Sequence, residues 1–336
     1  MKHQLDPILN GLIATEWSDM PRYESKGKGN HIFIDYLKVM GSQVSIEEKL
    51  SMLFTFHSYQ RALDDSRYKN FNQARYWLEQ SRRGEIGFSE NVQLVMDSLY
   101  YPASAYLCYA NGLYEQALKE METGVKLFER IEEMQLFEGV VSARLEQIHN
   151  LSKVYMAMKE YERSAEILVD LTAYIFNIGS PFGFVKPGHK NGFAEHEEKQ
   201  GIEKIDIIKY FFDSILLSAV LHEASDAELI FVNFIEKAKC LALDENIFPI
   251  RTICDGINNA IKRDFYALNK DYLILITQLD VLPKSIGIYF SQVLMEFAKD
   301  TGYNRSEELM KEFMKRYPDQ KKTFQFSQKH AKSVIK

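Results

Sequence analysis

Cysteine is scarce in this chain, with only Cys108, Cys240 and Cys254 among 336 residues. No two of them lie at Cys-x-x-Cys spacing, so neither a disulfide framework nor a zinc ribbon is the expected source of stability. Glycine (17) and proline (8) are also few, too few for a body made mainly of turns. There is no Asn-Gly hairpin between alternating strands, and runs rich in Val, Ile and Thr are rare, which argues against an all-β fold. No stretch approaches about 18 uninterrupted apolar residues, which excludes a membrane-spanning helix from the expectation. The basic start at Lys2 is followed by no apolar run, so no secretory signal is expected. The expected compartment is the cytoplasm, and no membrane partner is expected.

Excess positive charge is missing as well. Lys and Arg total 41 against 47 Asp and Glu, a net charge of −6. A general binder of phosphate backbones would be basic, so nucleic acid is not the expected partner. The basic charge that exists is concentrated in residues 319–336 and just before them. From Lys315 to Lys336 the chain carries +6, against −12 for the remainder. Such a tail reads first as a solvated terminus, and second as a contact for an acidic surface.

What is present is helical periodicity, nearly throughout. Ser45-Ile46-Glu47-Glu48 has the form of a capping box, in which the Ser hydroxyl accepts a free helix amide and Glu48 reaches back. Ser225 with Glu228 and Asn304 with Glu307 repeat the form. About a dozen helices are expected, so the fold class is all-α. The main break falls at residues 179–201, with Gly179, Pro181, Gly183, Pro187, Gly188, Gly192 and Gly201. Three phenylalanines in it, Phe182, Phe184 and Phe193, predict that part of this loop packs.

An internal repeat is the strongest pattern. A small residue, an aromatic nine positions later and a small residue three further on recur as Ala62…Phe71…Ala74, Ala105…Tyr114…Ala117 and Ser152…Tyr161…Ser164. Two antiparallel helices joined by a short turn approach closely only where side chains are small. The aromatic at the start of the second helix fills the wedge at the turn. One such hairpin cannot bury its apolar face alone, so hairpins stack.

These three units resemble the tetratricopeptide repeat over about residues 45–177. The aromatics here are 43 and 47 residues apart, against about 34 in that family, and the repeat-terminal Pro is missing, so longer helices are expected. The resemblance implies a right-handed α-solenoid of helical hairpins. The expected organisation is an N-terminal helical cap and loop at 1–44, repeats at 45–178, the Gly/Pro/Phe-rich loop at 179–201, divergent helical hairpins at 202–318 and the basic tail at 319–336.

The resemblance also implies a function. The first helix of each pair lines a concave groove that binds an extended peptide or a partner's helix. Its positions here are Phe56, Tyr59, Leu63 and Ser66, then Leu99, Pro102, Tyr106 and Tyr109, then Glu146, His149, Lys153 and Met156, with Asn150 beside His149. Of these, Tyr59, Tyr106, Tyr109, Glu146, His149, Asn150 and Lys153 are the candidate binding residues. Tyrosines offer rigid, amphipathic contact area of the hot-spot kind. The implied role is a non-catalytic protein- or peptide-binding adaptor, regulator or peptide sensor, with the exposed ends of the stack also suited to a homodimer.

Enzyme signals are thin. Glu146-x-x-His149 occurs once, where a di-iron bundle needs two such motifs. Asp64-Asp65 is similar to the magnesium-binding pair of all-α prenyl-chain enzymes, but Tyr68 stands where a third acid is needed. No phosphate-binding Gly-rich loop and no nucleophile elbow is present. No metal or cofactor is therefore expected, and Cys108 reads as an apolar filler. The alternative reading is an all-α enzyme or accessory subunit whose site joins the 179–201 loop to Glu146 and His149.

Overall fold

The computed structural model describes residues 44–85, 87–136, 140–177 and 179–186, the helix 224–238, and single positions between 211 and 311. The expected N-terminal helices, the third capping box, the loop beyond 186, most of 202–318 and the basic tail lie outside these residues, as do Cys240 and Cys254. The chain divides into two compact units, Glu24–Ile202 and Met1–Tyr23 with Glu203–Lys336.

Among the described residues there are seven helices and no strand. The unit Glu24–Ile202 holds α1 (Ile46–Arg67), α2 (Phe71–Gly84), α3 (Glu90–Ala110), α4 (Tyr114–Glu133), α5 (Val140–Ala157) and α6 (Tyr161–Ile175). The other unit holds α7 (Ala224–Ala238), where Ile230 and Phe234 are buried four residues apart on one face. No described helix is long and apolar enough to cross a membrane.

Within the first unit, helices pack as consecutive antiparallel neighbours, and the pairs α1–α2, α3–α4 and α5–α6 are hairpins. The three corners have one geometry. Lys69, Gly112 and Lys159 take left-handed backbone (φ 62°, 76° and 65°). The next amide closes back onto the preceding helix, from Asn70 to Asp65, Leu113 to Cys108 and Glu160 to Tyr155, at 2.8–2.9 Å. This is a Schellman closure, which satisfies carbonyls that a helix end leaves open. The aromatics Phe71, Tyr114 and Tyr161 follow as the first residue of α2, α4 and α6, each half-buried. All six small residues of the pattern, Ala62, Ala74, Ala105, Ala117, Ser152 and Ser164, are fully buried.

The helix start at Ser45 holds half of the expected capping box. Its hydroxyl accepts from the Glu48 amide at 3.1 Å. The Glu48 carboxylate does not turn back; it accepts from the Ser89 amide (2.8 Å) and hydroxyl (3.0 Å) at the start of α3. Two donors at a helix N-terminus, where the peptide dipoles favour an anion, outcompete one at its own cap. Glu48 thus ties α1 to α3.

The two junctions between hairpins differ. Across the first, α1 packs on α3 while α2 barely touches it; across the second, α4 packs on α5. The hairpin α3–α4 is drawn close at its middle. A Cβ on Gly124 would stand 3.2 Å from Cδ of Pro102, inside helix α3. The loop after α6 packs through Val185, which is buried. Both oxygens of the buried Asp170 carboxylate hold it, accepting from the amides of Phe182 (2.9 Å) and Phe184 (2.6 Å).

Candidate functional site

The sparse packing of α2 against α3 leaves a cleft of about 570 Å³. One wall is a face of α2, with Arg75, Leu78, Glu79, Arg82 and Arg83. The floor and the other wall come from Tyr100, Ser104, Leu107 and Cys108 of α3 and Asn111 just past its end, and Leu113 and Gln116 close one end beside the second corner. The volume lies within the range of ligand-binding clefts.

One cation in this wall is fixed. Arg82 pairs through Nη1 with Glu85 (2.7 Å) and with Asp97 of α3. Gln93 donates to both carboxylates at 3.1 Å, and the guanidinium lies 3.6 Å from the centre of the Tyr100 ring. Hydrogen bonds to Glu85 and Asp97 raise the Arg82 pKa against the opposing effect of burial. The network continues inward, where the Tyr59 hydroxyl donates to the other oxygen of Glu85. Arg75 and Arg83 are exposed and form no ion pair among the described residues. Cys108 is buried in the floor, and its thiol is pushed up first by burial and then by Glu120, so it stays protonated and acts as apolar surface.

The residues singled out from the sequence fall into three places. Tyr59 lies in the interior, 2% exposed, edge-on to Tyr100, with its pKa raised by burial and by Glu85. Phe56 and Ser66 are buried with it, and Met156 is buried on α5. Leu63 and Leu99 pack against the core, and Pro102 faces Gly124.

Tyr106 and Tyr109 are half-buried and come together, with ring centres 6.3 Å apart. Tyr114 continues the row 5.8 Å from Tyr109, and Arg67 at the end of α1 stands 6.0 Å from the Tyr106 ring centre. Burial, then Tyr114 and Tyr106, push the Tyr109 hydroxyl up to about 12. At about 100° per residue, Tyr106 lies across α3 from Ser104 and Cys108, so this aromatic corner and the cleft occupy opposite sides of one helix.

The polar residues of α5 form a third place. Lys153 donates to Asn150 at 2.9 Å, and Asn150 to Gln147 at 3.4 Å. Burial lowers the Lys153 pKa to about 8, against the attraction of Glu146. His149, four residues before Lys153 on α5, is fully buried. Asp64 pairs with Arg67 at 2.9 Å and Asp65 accepts from Asn70 at 3.2 Å, so both serve the first corner. Among the described residues, no three His, Cys, Asp or Glu side chains converge as metal ligands would.

Sequence reasoning overlooked the cleft. A signal was present: Arg75, Arg82 and Arg83 share one face of a helix in an otherwise acidic body. No family model, curated protein or solved structure matches the chain.

Proposed function

We propose that the chain is a non-catalytic helical-repeat protein that binds a peptide segment of a protein partner, with its hairpins stacked as in a right-handed, tetratricopeptide-like solenoid. The observation that carries this reading is the cleft between α2, α3 and the start of α4. It combines an apolar floor, a wall stiffened by the Arg82–Glu85–Asp97 network and a rim with two exposed cations that have no ion-pair partner among the described residues. Preformed walls reduce the ordering cost of binding, which is the main cost for a flexible peptide.

A second surface is the row Tyr106, Tyr109 and Tyr114, of which Tyr106 and Tyr109 are groove positions that the resemblance implies. Aromatic side chains there supply contact area with little rotamer entropy to lose.

A library of random octapeptides, displayed and selected on the full chain, tests the reading. Selected peptides are expected to bind saturably in calorimetric titration. They are expected to weaken when Leu113→Trp places a large ring at the exposed mouth of the cleft. Binding that survives Leu113→Trp but is lost in Tyr106→Ala with Tyr109→Ala assigns the peptide to the aromatic corner instead. Failure to select any saturable binder overturns the peptide-binding reading.

A further inference from the structure

We infer that the cleft reads a charge pattern on its ligand: an acidic residue, a basic or neutral one, and a second acidic residue, spaced along an extended peptide. This deepens the binding reading above and rests on it.

Arg75, Glu79 and Arg83 follow one another at four-residue steps, so all three lie in one row on the cleft side of α2. Eight residues of helix place the two arginines about 12 Å apart along the axis. Long side chains on a helix lean the same way, toward its N-terminus, so the guanidinium groups keep that separation. Glu79 stands midway, and all three residues are exposed. The rim therefore presents plus, minus, plus.

The third cation does not blur the pattern. Arg82 has two carboxylate partners and lies over Tyr100, so its charge is already matched within the protein. Arg75 and Arg83 have no such partner among the described residues.

Spacing then selects the ligand. One phosphate or one carboxylate cannot span about 12 Å, and an anion centred between the arginines meets Glu79. A ligand with two acids apart satisfies both arginines and leaves Glu79 facing its middle. An extended chain advances about 3.3 Å per residue with alternate side chains on one side. Acids at positions 1 and 5 then match the arginines, and position 3 faces Glu79, where Lys or Arg is favoured and Asp or Glu rejected. Side chains at positions 2 and 4 turn the other way.

The octapeptide selection on the full chain tests this. The expected outcome is enrichment of acid-x-base-x-acid or acid-x-neutral-x-acid over its frequency in the unselected library. A selected peptide is expected to bind about tenfold more weakly to Arg75→Gln with Arg83→Gln. All three rim residues are exposed, and unchanged circular dichroism confirms the fold. Glu79→Lys is expected to abolish the preference for a base at the middle position and to favour an acid there, a change that a merely structural role would not produce. Peptides selected without the acid pair, or binding equally to wild type and the double variant, overturn the inference while leaving the binding reading in place. Displacement of a selected peptide by millimolar inorganic phosphate or succinate, beyond what sodium chloride of equal ionic strength achieves, also overturns it, because a compact anion then suffices. If no peptide is selected at all, the binding reading falls and this inference falls with it.

Discussion

The two hairpin junctions begin from similar corners and end in different chemistry. At the second, α4 meets α5 directly and an arginine seals the seam. Arg144 of α5, 1% exposed, pairs through Nε with Glu132 of α4 at 2.7 Å. It also donates to the Tyr174 hydroxyl of α6 (3.1 Å) and to the carbonyl of Lys186 (3.2 Å). At the first junction α1 carries the contact to α3, and Arg82 bridges α2 to α3 across a gap instead of a packed interface. Packing closes one seam, and an ion network spans the other. The arginine in the closed seam is buried, whereas Arg75 and Arg83 along the open one are exposed.

The largest effect is expected in the closed seam. Arg144→Ala leaves Glu132 buried without its partner and frees the loop carbonyl, at a cost of about 3–5 kcal/mol. Urea unfolding checks it, and a loss below about 1 kcal/mol would mean that water reaches the seam and that the contrast is false.

In the open seam, Arg82 is about a third exposed and the buried Glu85 keeps its hydrogen bonds from Tyr59 and Gln93, so the expected loss for Arg82→Ala is smaller, about 1–2 kcal/mol. A loss equal to that of Arg144→Ala would place both seams in one class.

The corners are expected to respond by about 1 kcal/mol, with opposite signs. Gly112→Ala puts a Cβ on left-handed backbone and destabilises, whereas Lys69→Gly removes one and stabilises by somewhat less, because glycine also loosens the unfolded chain. Melting temperatures of the pair that shift in the same direction would contradict the shared corner geometry.

At Lys153 the effect is expected as a slope of stability against pH. Its folded pKa of about 8 lies below the ordinary 10.5. Over that window the unfolded chain holds more protons, so stability rises with pH between about 8 and 10.5. Subtracting the same profile for Lys153→Met isolates the contribution, and a flat difference would show that the ammonium is well solvated.

What is legible in the chain follows the range of the forces involved. The corners were legible because each is local. Small residues, a wedge aromatic and a left-handed position lie within about a dozen residues, and the helix period brings them together whatever surrounds them. The same period identifies a face but not the neighbour that covers it. Tyr59, Tyr106 and Lys153 occupy corresponding faces of α1, α3 and α5, yet Tyr59 is interior, Tyr106 lies half-buried at an aromatic corner and Lys153 is held in a polar ladder. Glu48 was expected at its own cap and reaches α3, 41 residues away, because two donors there offer more than one at home.

By itself, then, the order of residues determined the described helices, the Ser45 cap and the three turns that fold them into hairpins. These depend on contacts between near neighbours, whose energies are set by residue type and spacing. Only the tertiary structure decided that one seam closes around a buried Arg144 while the other stays open beside Arg82. That choice depends on which helix faces win the burial of their apolar stripes over long separations, a competition among many weak contacts that no single motif records.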